Sequence, residues 1–205
     1  MSMTISQAVG RGFRLLYQPH VEFLAALQEP DTTSEIAFRF LAPWQAAAAA
    51  LQAVQTSLFS GILNFVLGIG ITFAAAAALM LISRALHSPI DFRSAFRVNA
   101  YSAPVGFVIT LLCFVLAKLS VLIAIAGIAY WIYITYVGCK VSMPLGSAVA
   151  TRATAGTVAA SLVVSFILVT FIGGPSGAGG GMLSPDTVAR EHIQFREMLH
   201  DAHMR

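Results

Sequence analysis

Between Ile62 and Ser83 the chain reads ILNFVLGIGITFAAAAALMLIS, a stretch with no ionisable side chain. As a helix rising ~1.5 Å per residue, it is long enough to cross a hydrocarbon core ~30 Å thick. It is apolar on every face, so packing on one side of a soluble domain would leave the rest in contact with water. Composition extends this reading to the whole chain. Of 205 residues, 58% are hydrophobic and 10% charged, whereas a soluble domain carries about 25% charged residues to face water. Mean hydropathy is +0.80. The expected class is therefore an all-α integral membrane protein, a bundle of about five transmembrane helices with short interfacial helices. The formal charge of +3 is spread along the loops without a basic run, which argues against a nucleic-acid partner and for membrane topology.

Reading along the chain, residues 1–35 form a partly amphipathic N-terminal segment, cytoplasmic or interfacial. Pro19 suits the first turn of a short helix carrying Val21, Phe23, Leu24 and Leu27, and Glu29-Pro30-Asp31 ends it. Arg11 and Arg14 precede no apolar core with a small-residue cleavage site, so the first span is expected to act as its own insertion signal. The transmembrane domain covers 36–172. Its first span, Ile36–Val54, is the weakest, being Ala-rich and interrupted by Pro43, Trp44, Gln45 and Gln52. The others are Ile62–Ser83, Asn99–Ala117, Leu119–Cys139 and Gly156–Ile172, the third and fourth joined tightly at Lys118. Ser88-Pro89 reads as the cap and first residue of a short helix bearing Arg93 and Arg97. A Gly-rich linker follows at 173–183, then a polar helix at 184–205.

Five spans put Arg11, Arg14, Arg39, Arg84, Arg93, Arg97, Lys140 and Arg152 on one side. By the positive-inside rule that side is cytoplasmic, with the N-terminus inside and the C-terminus exterior. Leaving the Ala-rich stretch out of the bilayer would erase this bias. The spans hold no buried acid, base or metal-ligand set, so no catalytic residue, cofactor or metal is expected. The tail histidines His192, His200 and His203 read as solvated, and the GPSG at Gly174–Gly177 as linker. Asn64, Asn99, Tyr101, Pro104 and Tyr130 form the candidate intramembrane polar cluster, with Pro104 placed to kink the start of the third span. Arg93 and Arg97, one helical turn apart, are the candidate contacts to anionic lipid or a partner. Small residues at four-residue spacing, such as Gly68, Thr72 and Ala76, allow close helix packing within the monomer or in a homo-oligomer.

Three stretches carry a family resemblance. They are Leu15-Leu16-Tyr17-Gln18-Pro19 with Phe23, Glu29-Pro30 and Leu41-Ala42-Pro43; Asp91-Phe92-Arg93 through Phe96 to Pro104; and Trp131–Gly138 with Ser147–Ala153. In these the chain resembles a bacterial member of the Yip (Ypt-interacting protein) family of five-span membrane proteins. Phe23 stands where many bacterial members have Trp. The resemblance implies a five-helix fold with a cytoplasmic N-terminus, in a bacterial cytoplasmic (inner) membrane. Eukaryotic relatives act in vesicle traffic and bind Rab-type GTPases, a role the short N-terminal segment here does not suggest. The expected function is non-enzymatic: organising or scaffolding the membrane or a membrane complex, with lipids and a homo-oligomer or membrane-protein partner. The alternative is a permease or lipid-handling protein with a polar cavity between spans.

Overall fold

The computed structural model describes residues 5–143 and 146–172. The expected linker, the polar tail helix with its histidines, and the GPSG stretch lie outside the described residues. The chain divides into two units, residues 1–162 and 163–205; the described part of the second is the end of one long helix, Val163–Ile172. Every described element is helical.

Two short helices open the chain. Helix α1 (Ile5–Tyr17) is followed after Gln18 by α2 (Pro19–Leu27), with Pro19 in the first turn, where its missing N–H costs nothing. Next, Thr32 caps α3 (Thr33–Glu35) reciprocally: its hydroxyl accepts from the Glu35 N–H, and the Glu35 carboxylate accepts from the Thr32 N–H at 2.9 Å. The helix then widens into a π turn (Ile36–Leu41) before continuing as α4 (Ala42–Gln55). Pro43 explains the widening. It cannot donate to the Arg39 carbonyl and its ring would press on it, so the preceding turn opens and Ala42 N–H donates to Ala37 instead. The whole rod from Thr33 to Gln55 is about 34 Å long at ~1.5 Å per residue.

Helix α5 (Leu58–Ala85), capped by Ser57, turns back along this rod. Gly61 lies against the Ala49 carbonyl and Ala53, and Gly68 against the Gln45 amide, an antiparallel register. Helix α6 (Phe92–Ala100) begins later than the sequence suggests: Asp91, not Ser88, is its cap, accepting from Ser94 N–H at 3.3 Å. Ser88 is instead buried in the preceding turn, which places His87 at φ 54°. The chain bends at Tyr101-Ser102 and resumes as α7 (Ala103–Val115), with Pro104 in its first turn. A 3₁₀ turn (Ala117–Leu119) makes the tight hairpin to α8 (Ser120–Ser142), and α9 (Ser147–Ile172) ends the described chain.

Among the described residues, four helices are long and apolar enough to cross a membrane: Leu58–Ala85, Phe92–Val115, Ala117–Ser142 and Ser147–Ile167. The chain is an all-α membrane protein. The Thr33–Gln55 rod has the length but falls short of those four in apolarity, through Arg39, Pro43 and its glutamines. Ile62, Val66, Leu81, Val121, Leu122 and Ile125 stand exposed on the spans, as lipid-facing side chains do. The buried core instead concentrates where α1 and α2 pack on the π turn, α6 and α8, around Leu15, Phe23, Phe40, Phe96, Tyr101 and Ile134. Thr72 and Ala76 are buried, as are Ala153, Thr157 and Ser161, so these small-residue faces serve packing within the chain.

Gly138 is where α2, α6 and α8 meet most closely. A Cβ there would sit 2.9 Å from both Phe23 Cζ and Val98 Cγ1, each side chain buried. Gly138→Ala is expected to destabilise by about 1–3 kcal/mol through overpacking. The thermal midpoint in a fixed detergent measures it, and an unchanged midpoint would show that this seam yields.

Candidate functional site

The described polar chemistry gathers where the N-terminal helices meet the Phe92–Val115 span. Arg11 and Arg14 lie three residues apart on one side of α1, and Pro19 turns the chain so that Glu22, in the first turn of α2, comes back to face them. Arg14 Nε donates to Glu22 at 2.6 Å, and Arg11 Nε lies 3.4 Å from the same carboxylate. Both terminal nitrogens of Arg11 donate to the two oxygens of Glu29 in a bidentate pair. Arg11 Nη1 also donates to the Tyr101 hydroxyl at 3.1 Å, with the guanidinium 6.0 Å from the Tyr101 ring centre. Thus one side chain ties together α1, α2, the Glu29-Pro30 turn and the bend after α6.

The electrostatics follow from this geometry. Burial alone would depress the pKa of the Arg11 guanidinium, but its bonds to Glu29 and the field of Tyr101 and Glu29 outweigh it, holding the pKa above its ordinary value. Arg11 and Glu22 are 12% and 10% exposed in their side chains, whereas Arg14 is 59% exposed. Arg11–Glu22 is therefore the inner pair, with Glu29 at 31% and Arg14 as its more exposed edges.

Tyr101 is fully buried, its ring 4.4 Å from Phe40 and 5.8 Å from Phe23 between centroids. The π turn forced by Pro43 is what delivers Phe40 to it. Nearby, Tyr130 on α8 donates to the Leu16 carbonyl at 2.5 Å, pinning the end of α1 to the Ala117–Ser142 span.

The candidate residues from the sequence fall differently. Arg93 and Arg97 do not face headgroups together, and that expectation is corrected for Arg97. It is 1% exposed and its Nη2 donates to the Glu29 carbonyl at 3.1 Å. From Ala95 to Ala100 every residue of α6 is buried, so Arg97 has no outward face to take. Arg93 is half-exposed, 3.8 Å from Asp91. The residues of the polar cluster make separate contacts. Asn99 bonds the Ala95 carbonyl of its own helix, Tyr101 takes Arg11, Tyr130 takes Leu16, Pro104 is buried at the start of α7, and Asn64 sits half-buried on α5.

Sequence reading missed the role of Arg11, Glu22 and Glu29. Alternating charges on two short helices flanking Pro19 were the available signal. Among the described residues, no three His, Cys, Asp or Glu side chains group to hold a metal, and Cys113 and Cys139 are free. The cluster's hydrogen bonds are directed at one another, which suits a clasp between segments.

An all-α, multi-span membrane protein with an N-terminal helical pair clasped to its Phe92–Val115 span is the class these features define. The model of the Yip1 domain matches residues 13–173, and the chain belongs to that family. No curated protein and no solved structure matches it. All three stretches that carried the resemblance meet at the clasp and its packing: Glu29 and Tyr101 on Arg11, and Phe23 on Tyr101 and against Gly138.

Proposed function

We propose that this protein is a non-enzymatic membrane scaffold in which α1 and α2 form an interfacial platform held to the spans by the Arg11 clasp. The carrying observation is the outward face of that platform. Phe13, Tyr17, Val21 and Leu24 are exposed beside Arg14 and His20, on helices outside the apolar spans. Apolar side chains interleaved with basic ones suit a helix lying at the headgroup boundary. On this reading the Thr33–Gln55 rod is a fifth crossing, antiparallel to α5, and the N-terminus is cytoplasmic in a cytoplasmic (inner) membrane. The C-terminus then lies outside. Arg11, Arg14, Arg39, Arg84, Arg93, Arg97, Lys140 and Arg152, which five crossings put on one side, support that orientation. The inward bonding of Asn99, Tyr101 and Tyr130 favours the scaffold over a permease.

Two measurements test this. Nitroxide labels at Tyr17→Cys and Leu24→Cys in reconstituted vesicles should report burial on the order of 5–10 Å below the headgroups. Labels fully accessible to water would remove the platform. Light scattering in detergent, with mass spectrometry of what co-purifies, should find a defined oligomer or a stoichiometric protein partner. A clean monomer carrying one class of polar solute would overturn the scaffold.

A further inference from the structure

A groove of about 610 Å³ runs between α8 and α9. Its walls include Ala129, Ile132, Tyr133 and Tyr136 on α8, and Ala155 and Leu162 on α9. It faces the lipid side of the spans: Leu162 is 64% exposed and Tyr133 49%, and Ala155 is exposed as well. Nothing in the clasp or the platform uses it.

The wall on α8 is one helical stripe, 129, 132, 133 and 136, and the next position on it is Lys140. On α9, Arg152 stands three residues before Ala155 and on the same side. Both cations are exposed, and among the described residues neither pairs with a carboxylate. Both helices belong to the described spans Ala117–Ser142 and Ser147–Ile167, joined by the short connection after Ser142, so the two cations stand at the same end of the groove. The order along it is therefore aliphatic floor, then two tyrosines, then two unpaired positive charges.

We propose that this groove binds one anionic phospholipid, an acyl chain lying along Ala129, Ile132 and Leu162 and the phosphate facing Lys140 and Arg152. Tyr133 and Tyr136 mark the level where apolar chain gives way to headgroup, the depth at which tyrosines concentrate in membrane proteins. Lipid is the occupant because the groove opens on the surface that the spans already present to the bilayer, and charge complementarity selects the anionic headgroup. The inference needs the helices to span the membrane but does not need the scaffold reading or the platform.

Native mass spectrometry of the full chain tests it, with the protein titrated in detergent against phosphatidylglycerol and, separately, phosphatidylcholine. The expected result is one retained phosphatidylglycerol per protomer, preferred over phosphatidylcholine. Lys140→Gln with Arg152→Gln should lower that preference by about tenfold or more, and Lys140→Arg with Arg152→Lys should keep it. Ala159→Phe, which fills the groove wall, should reduce retention of both lipids. Circular dichroism and the thermal midpoint confirm that each variant is folded. Equal retention of the two lipids, or an unchanged preference in the double glutamine variant, would overturn the proposal. So would a dimer dispersed by Ala159→Phe with no lipid bound, since a second copy would then be what covers the groove.

Discussion

Tyr101→Ala is expected to destabilise the protein by about 3 kcal/mol, lowering the thermal midpoint in a fixed detergent and scan rate by on the order of 6–12 °C. The side chain is fully buried, and its ring touches Phe40 from the π turn and Phe23 from α2. Deleting it opens a cavity where three segments meet, and it also removes the hydroxyl that accepts from Arg11. Between helices in a bilayer the cost is lost packing more than lost water exclusion, so cavity collapse decides its size. Tyr101→Phe separates the contributions. It keeps the ring and loses one hydrogen bond to a charged donor, for an expected cost of about 1–2 kcal/mol. If the two variants were equally destabilised, the hydroxyl rather than the ring would be the anchor.

The membrane-spanning helices were legible because their signal is length and apolarity, and both survive any packing arrangement. Ile62–Ser83 lies inside α5, and the Lys118 hairpin is the 3₁₀ turn before α8. The bend at Tyr101 was also legible, since Pro104 demands a new first turn. The Ala-rich stretch was harder. Its helix is continuous in Thr33–Gln55, but Pro43 reshapes it into a π turn whose side-chain directions a regular helix does not give.

Which way α6 faces was not legible at all. Its sequence FRSAFRVNA offers an arginine pair, Arg93 and Arg97, and a phenylalanine pair, Phe92 and Phe96, each at i,i+4. Either pair can be placed outward on local pattern. Long-range packing decides: Phe96 packs on Phe73 with ring centres 4.5 Å apart, and Arg97 reaches the Glu29 carbonyl from a fully surrounded position. The clasp was hidden for a similar reason. Arg11, Glu22, Glu29 and Tyr101 are spread over ninety positions, and only the folded chain shows that α1 and α2 lie against the Phe92–Val115 span.

Arg11→Met should cost about 3 kcal/mol, a loss that comes mainly from what it leaves behind. Glu22 would keep only the solvated Arg14, Glu29 would lose its bidentate partner, and Tyr101 would lose its donor. If unpaired burial is the cause, removing the carboxylates should rescue the variant. Arg11→Met combined with Glu22→Gln and Glu29→Gln is expected to regain most of the lost midpoint, since a neutral replacement of a buried ion cluster is often nearly isoenergetic. The pH dependence has a definite sign. The Arg11 pKa is raised on folding, so its contribution is fully present below its unfolded-state value and is lost only in strong alkali. The difference between wild type and Arg11→Met should therefore stay constant between about pH 6 and pH 9. Labels on the outward face of α1 add a readout that stability alone does not supply. With the clasp broken, Tyr17→Cys should change its depth in the bilayer while α5 and α8 keep theirs. If the depth of Tyr17 were unchanged, Arg11 would be stabilising the bundle without positioning the platform.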